Sequence, residues 1–326
     1  MSRTKKINVL VTGVGAIIGY GVIKSLKKSD LDVHIIGMDI YSDAVGQYWC
    51  DSFIQAIYAV DPGYIQFLKK IIHDNQIDIV FFGTEQEINR CVTDKEELGE
   101  DYKKLVLNRP SIYELTNDKW LTREFLLAHN MDNLAIPSVI AGDYDAISAK
   151  FGHEFILKPR KSYASKGIHK VDNAIDFAFY KEKMRDGFMA QRLIGDNEHE
   201  YTVGVFGLGD GTYSGYIGMK RKLSQEGATA KAEVYDDAAL KQAIDALCIA
   251  LKPIGPTNFQ FRSEDGHYYL LEVNPRISSS TSIRMAMGYN EAEMCVRYFV
   301  NHEIIRPRVR KGRAVRFIDE VVVFDE

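Results

Sequence analysis

The chain has 326 residues and is 46% hydrophobic, beyond the size at which a single core usually divides, so two or three lobes are expected. Lysine plus arginine number 41 against 45 aspartate plus glutamate, a net charge of -4, which excludes a global positive field that would gather nucleic acid or anionic lipid. Cys50, Cys91, Cys248 and Cys295 are far apart and form no Cys-x-x-Cys pair, so neither a zinc site nor a disulfide framework is suggested, and a reducing cytoplasm fits.

After Met1 to Lys6, the run Ile7 to Ile23 has the charged start and apolar centre of a signal peptide. It also contains Asn8, Thr12, Gly13, Gly15, Gly19 and Gly21 and has no small-residue cleavage site, so export is not expected. No stretch is long enough to span a bilayer. Ile7 to Val11 reads as a buried strand, followed by a glycine turn and a helix from Gly21 to Lys28. Val33 to Met38 makes a second strand, Tyr64 to His73 a helix, Ile77 to Phe82 a third strand and Leu105 to Leu107 a fourth. This alternation predicts an α/β domain over residues 1–108, its parallel sheet covered on both faces.

Around Asn108-Arg109-Pro110 the pattern changes. A helix is predicted over Lys119 to His129, strands over Phe155 to Lys158 and Ile168 to Val171, then longer alternating strands over Tyr201 to Gly207 and Tyr213 to Met219. A helix from Ala238 to Leu251 follows. Such runs of strands indicate an antiparallel α+β architecture. The tail from Ala314 to Phe324 alternates as a closing strand, on which Arg316 either points at a site or caps an edge.

Gly13-Val14-Gly15-Ala16-Ile17-Ile18-Gly19 lies between a strand and a helix, where backbone N–H groups can hold a phosphate. Its spacing is not the dinucleotide fingerprint, although Asp39 ends the second strand where a ribose-binding acid would sit. The plainer reading is a tight turn with close helix packing. A nicotinamide-dependent oxidoreductase using Gly13 to Gly19 and Asp39 is therefore the alternative function from this end of the chain.

The richest stretch is Thr257 to Arg276, where two strands flank Glu264-Asp265-Gly266. A three-residue hairpin loop sets Ser263 opposite His267, Gln260 opposite Leu270 and Asn258 opposite Glu272. Asn258, Gln260, Glu272 and Asn274 then share one face, and Phe259, Phe261, Tyr269, Leu271 and Val273 the other. A carboxylate and amide oxygens on one face suit a hard cation such as magnesium, particularly one that also holds nucleotide phosphates. Arg276 stands just beyond, placed to stabilise charge on a phosphoryl group.

Glu272-Val273-Asn274-Pro275-Arg276, preceded by Asn258-Phe259-Gln260-Phe261 and followed by Ile277-Ser278-Ser279-Ser280, resembles the metal-binding signature of ATP-grasp enzymes. The nearest form is a single ATP-grasp unit of the carbamoyl phosphate synthetase large subunit. The resemblance implies Gln260, Glu272 and Asn274 as ligands to magnesium or manganese, with Gln260 and Glu272 also meeting the nucleotide, and Arg276 at phosphate. Asp118-Lys119 resembles the start of the ATP-grasp region and Phe155-Ile156-Leu157-Lys158-Pro159 the strand bearing the second phosphate-binding residue, which implies Lys119 and Lys158 at the ATP phosphates. The flexible loop over the phosphates falls between Lys158 and Ile168; it contains Lys161, Lys166 and Gly167 and departs from the family in having so few glycines. Gln191-Arg192-Leu193 resembles the hinge that meets adenine. Glu200 resembles the acid that takes the ribose hydroxyls, with Glu198 its rival because two extra residues intervene.

The implied architecture is a Rossmann-like α/β domain that precedes ATP-grasp (1–108), a mobile lid subdomain (109–190) and a C-terminal subdomain with the metal site and closing strand (191–326). The implied activity is that of a cytoplasmic ATP-grasp ligase. A carboxylate becomes an acyl phosphate, and an amine or thiol displaces phosphate, with Arg276 and Lys158 as catalytic groups. Small carboxylate and amine metabolites, such as an amino acid or a sugar acid, are the expected partners, with neither nucleic acid nor membrane involved and a homodimer one option for the assembly. Further substrate contacts are sought at Thr84, Glu85 and Glu87 after the third strand, and at Lys220, Arg221 and Arg284. A catalytically silent nucleotide-binding module is the remaining alternative.

Overall fold

The computed structural model describes residues 6–161, 167–184, 187–196, 198–225 and 227–324. In the first lobe, β1 (Ile7–Thr12), β2 (Val33–Asp39), β3 (Ser52–Gln55) and β4 (Ile79–Phe81) form a parallel sheet in the order β3-β2-β1-β4. Successive side chains alternate between two cores. Val9 and Val11 pack with Val22 and Leu26 of helix Ile17–Lys27, whereas Leu10 and Ile36 pack with Ile65 and Leu68 of helix Tyr64–Asp74. Burial on both faces is why these strands read as continuous apolar runs.

Two details depart from expectation. Ser52–Gln55 adds an edge strand too short and too exposed to read from pattern. Leu105 to Leu107 does not form a fourth strand. Leu105 makes one parallel bridge with Val80, and the Leu107 N–H turns back on the Leu105 carbonyl at 2.9 Å, which bends the chain out of register.

A small antiparallel sheet follows, with β5 (Ser138–Val139), β6 (Phe155–Pro159), β7 (His169–Val171) and β8 (Phe188–Arg192) in the order β5-β8-β6-β7. Phe155, Leu157 and Phe188 close their own core with Ile147 and Phe177 from helices Tyr144–Phe151 and Ala174–Lys183.

The largest sheet contains β9 (Glu200–Leu208), β10 (Tyr213–Leu223), β11 (Thr229–Val234), β12 (Ile254–Glu264), β13 (His267–Asn274) and β14 (Arg313–Val315), antiparallel in the order β13-β12-β9-β10-β11-β14. Val203, Val205, Phe259, Phe261 and Val273 bury one face against Leu240, Ile244 and Leu247 of helix Ala238–Leu251. Asp237 starts that helix by accepting the Leu240 N–H at 3.0 Å, an N-cap that satisfies an otherwise orphaned donor. The opposite face is polar near β13, but around Phe206, Ile217 and Met219 it joins the core of the first lobe. Helices Thr281–Ala286 and Glu291–Phe299 pack there against Ile17–Lys27.

The closing strand is shorter than the alternation suggests. Val315 pairs with Lys231 and the Arg316 N–H still reaches the Ala230 carbonyl at 2.8 Å. β11 begins at Thr229, so the partner strand runs out, and Phe317, Ile318, Val322 and Phe324 are exposed. The Arg316 guanidinium donates to the carbonyls of Thr229 at 3.0 Å and Ser279 at 2.9 Å; it caps the sheet edge. Among the described residues no helix is long and apolar enough to cross a membrane.

Candidate active site

The β12–β13 hairpin turns on Asp265 and Gly266, with φ of 50° and 79°. Two left-handed residues fit the twist of a tight two-residue turn, so Glu264 faces His267; the three-residue loop expected above does not form. Farther along, Phe261 pairs with Leu270 but Gln260 pairs with Glu272, leaving Leu271 as the extra residue of a β-bulge. Turn and bulge together shift the expected register by two residues, which restores its parity. Gln260 therefore faces Glu272 and Asn258 faces Asn274. Phe259, Phe261 and Val273 lie in the core as expected, but Tyr268 and Leu270 accompany them in place of Tyr269 and Leu271, because the slip falls between these pairs.

Above this hairpin, Lys158 projects from β6 and is buried. Its Nζ donates to Gln191 Oε1 at 2.7 Å, and the Gln191 amide in turn donates to Ser138 Oγ at 3.0 Å, fixing which end of the amide meets the lysine. Burial, then the neighbouring Lys119 charge, pushes the Lys158 ammonium down to about 7, against the opposing pull of Glu272. Lys119 opens helix Lys119–Ala128, and burial lowers its pKa too, with Glu272 the main opposing charge. Asp118 positions it: one carboxylate oxygen caps the helix at Trp120 N, 2.9 Å, while the other pairs with Arg160 at 2.6 Å. Asp118 is held below the usual carboxylate range by hydrogen bonds from Arg160 and Trp120, which outweigh its burial.

Lys119, Lys158, Gln191, Leu271 and Glu272 line one cleft between the small and large sheets. Adjoining it is a second cleft of about 280 Å³, lined by Glu85, Lys161, Glu272, Asn274 and Arg276. Glu272 belongs to both. Arg276 donates to Glu85 through Nε at 3.1 Å and through Nη2, and its Nη2 lies 3.3 Å from Asn274 Oδ1. A carboxylate of the first lobe thus occupies the guanidinium beside the metal-type face.

Gln260 lies deeper. Its Oε1 accepts from Arg221 at 3.0 Å, and Arg221 also donates to Glu200 Oε1 at 3.1 and 2.8 Å. Arg262 approaches Glu200 Oε2 at 3.4 Å. Glu200 is therefore clamped by two arginines inside the sheet, whereas Glu198 is exposed and pairs with Lys222. Arg221, sought as a substrate contact, serves as the cross-brace between Glu200 and Gln260. Arg284 is wholly buried, paired with Glu291 at 2.7 Å and donating to Thr202 at 3.1 Å and to Asn258; it does not face a cleft, and Gly204 leaves the space it crosses. Lys220 joins neither cleft lining.

The chain leaves β8 through Arg192 and Leu193, and Glu264 at the hairpin end ties it down. Arg192 Nη1 pairs with Glu264 Oε2 at 2.7 Å, and Gly195 N–H reaches Glu264 Oε1 at 3.0 Å. Lys161 is exposed at the rim and Gly167 has a φ of 74°; Lys166 lies outside the described residues. The Asp118–Arg160 and Glu85–Arg276 pairs and the Arg221 brace were not read from sequence, since each joins residues tens to hundreds of positions apart.

The glycine turn folds on itself. Gly13 has a φ of 55°, and a Cβ on Gly19 would stand 2.2 Å from the Gly13 carbonyl oxygen. The N–H groups of Val14, Gly15 and Ala16 go to Met38 O at 3.3 Å, Asp39 Oδ2 at 2.8 Å and Gly13 O at 2.9 Å. Donors that a pyrophosphate would need are already committed. Behind the turn, buried Glu87 accepts from the hydroxyls of Thr12, Thr84 and Tyr64 at 2.6, 2.7 and 3.0 Å; burial raises its pKa against those three bonds.

Residues 189–321, which hold β8 to β14, match the family model described as ATP-grasp in the biosynthetic pathway with Ter operon. The N5-carboxyaminoimidazole synthetase of Staphylococcus aureus, solved with ADP, superposes with a TM-score of 0.72 at 17% identity, covering 93% of this chain and 80% of that one. The chain has the ATP-grasp fold. The biotin carboxylase domain of Hydrogenobacter thermophilus 2-oxoglutarate carboxylase, in complex with MgADP, ADP and bicarbonate, shares this ATP-grasp architecture at TM-score 0.71 and 14% identity, over 95% of this chain and 74% of that one. So does the L-amino acid ligase of Bacillus licheniformis, at 0.67 and 13%, over 95% and 76%. In sequence, the chain is 22% identical over 334 residues to the carbamoyl phosphate synthase large chain of Methanocorpusculum labreanum. That match takes in 93% of this chain and spans only 31% of the relative's length.

Proposed function

We propose that this protein is an ATP-dependent carboxylate-amine ligase working through an acyl phosphate. One observation carries the reading: Lys119 and Lys158 from above and Glu272 from below line one cleft, and that cleft shares Glu272 with a neighbour presenting Arg276, Asn274 and Lys161. Cations at one end and oxygen donors at the other suit a triphosphate with its metal. The donor set fits magnesium held jointly with nucleotide. Glu272 is a single carboxylate among amide oxygens, and among the described residues no three His, Cys, Asp or Glu side chains gather, so phosphate oxygens would have to complete the shell. Glu272 and Asn274 line the cleft and would hold the ion, which when bound polarises the γ-phosphoryl group, whereas Gln260, expected as a third ligand, lines neither cleft and would first have to release Arg221 from its Oε1.

In the proposed reaction a substrate carboxylate oxygen attacks the γ-phosphorus, and the bond to the departing ADP oxygen breaks. The amine nitrogen then attacks the acyl carbon; the C–O bond to phosphate breaks and the amine loses a proton. Lys119, Lys158 and Arg276 offset charge on the transferring group. Lys161 stands at the rim beside the phosphates; residues 162–166, on which the expected closing loop falls, lie outside the described residues. The backbone of Gln191 to Leu193 meets adenine, and Glu200 or Glu198 meets ribose. Residues 1–108, 109–190 and 191–326 act as substrate lobe, lid and metal-bearing body. The oxidoreductase alternative has against it the committed N–H groups of the glycine turn.

A matrix of carboxylates and amines, followed by magnesium-dependent ADP release and product mass, tests the reading. Glu272→Gln is expected to lower ADP formation by at least a hundredfold with an unchanged thermal melt. Retained activity would refute the metal assignment, and ATP binding with no turnover of any pair would favour a silent module.

A further inference from the structure

The first lobe has a cleft of its own, about 640 Å³ in volume, at the carboxyl ends of β1, β2 and β4. Its walls come from the glycine turn, the segment after Asp39, residues 57–60 and the turn Thr84 to Glu87. Three features of that wall bear on what it accepts. Tyr41, Tyr58 and Val60 stand at the mouth with 61%, 61% and 81% of their surface exposed, an apolar rim with nothing packed on it. Asp39, Asp43 and Glu87 contribute carboxylates, and among the described lining residues there is no lysine, arginine or histidine. The backbone N–H groups of the glycine turn, which would otherwise attract an anion, are used internally.

We infer that this cleft binds an amine with an apolar body and no neighbouring carboxylate. The argument is charge complementarity at a partly desolvated wall: carboxylates with no compensating base favour a cation and repel an anion, while the exposed aromatic and aliphatic rim contributes apolar contact. Glu87 is occupied by three hydroxyls and Asp39 by the Gly15 and Tyr41 N–H groups, so Asp43, exposed at the mouth, makes the contact. An α-amino acid would bring a carboxylate for which the described lining residues offer no cation. The cleft also abuts the catalytic one: Thr84 and Gln86 line this cleft, and Glu85 between them lines the other beside Arg276. That placement makes the ligand the nucleophile of the ligation, a role that rests on the ligase reading above.

The test is saturation-transfer NMR on the full chain without ATP, using phenethylamine, tryptamine and 1,5-diaminopentane, with 3-phenylpropionate and phenylalanine as charge controls. At least one amine is expected to bind, neither control to bind, and Asp43→Asn to raise the amine Kd fivefold or more. Val60→Arg, at an exposed rim position, is expected to do the same without touching a packed residue. The inference is overturned if no amine binds, if 3-phenylpropionate binds as tightly as phenethylamine, or if both variants leave amine binding unchanged. Because ATP is absent from the measurement, amine binding accompanied by no ADP release with any acid would overturn the ligase reading and leave this site standing.

Discussion

At the scale of single residues, Lys158 carries the sharpest consequence. An ordinary lysine titrates near 10.5, and burial followed by the Lys119 charge brings this one down to about 7. Between those values the unfolded chain binds a proton that the folded chain does not, so this residue's contribution to stability grows as pH rises from 7 towards 10.5. Phosphate beside Nζ favours the charged form. ATP binding is therefore expected to take up protons at pH 8 and to weaken as pH climbs above 7. Calorimetry in buffers of differing ionisation enthalpy measures the uptake, and Lys158→Met should remove it; a heat independent of buffer at pH 8 would contradict the proposed contact.

At the scale of elements, the end of β13 is fixed from outside the sheet. Asn108 is buried; its Nδ2 reaches the carbonyls of Pro256 and Pro275 at 3.2 and 3.1 Å and Thr257 Oγ1 at 3.1 Å, and its Oδ1 accepts the Ile254 N–H at 2.8 Å. Tyr113 adds a bond to the Pro275 carbonyl at 2.9 Å. Asn108→Ala leaves buried backbone groups unpaired, and Tyr113→Phe unpairs the buried Asn108 N–H that the Tyr113 hydroxyl accepts at 3.2 Å, so each is expected to cost about 1–3 kcal/mol in urea unfolding. ADP formation should fall more in the first variant. The sequence reading marked Asn108 only as the place where the pattern changes. A continuous apolar run exposed β1, alternation exposed β9 and β12, and ordered motifs singled out Lys119, Lys158 and Glu272. A polar side chain that ties two distant strand ends has no periodic signature, and a hairpin's slip at Leu271 leaves face alternation almost unchanged, so both stayed hidden.

At the scale of the molecule, the lobes meet where helix Ile17–Lys27 crosses helices Thr281–Ala286 and Glu291–Phe299. Gly21 of helix Ile17–Lys27 lies where a Cβ would come within 2.8 Å of Thr281 Cγ2, and Thr281 begins the helix that follows β13 and its serine loop. Glu85–Arg276 is a second tie across the same boundary. Gly21→Leu is expected to push the helices apart, to split a single calorimetric transition into two and to reduce ADP formation at least tenfold. A single transition at the wild-type temperature would show that the crossing does not couple the lobes.

The bulge at Leu271 separates two properties that share a strand. Every neighbour of Leu271 on β13 has a partner on β12, and their pairing sets Glu272 opposite Gln260 and Asn274 opposite Asn258. Leu271 has no pair and lines the cleft beneath Lys158. Variation at this position can reshape the surface of the proposed nucleotide cleft while the pairing that places Glu272 and Asn274 stays put, so on the proposed reading a change of nucleotide preference has a route that leaves the proposed metal ligands intact.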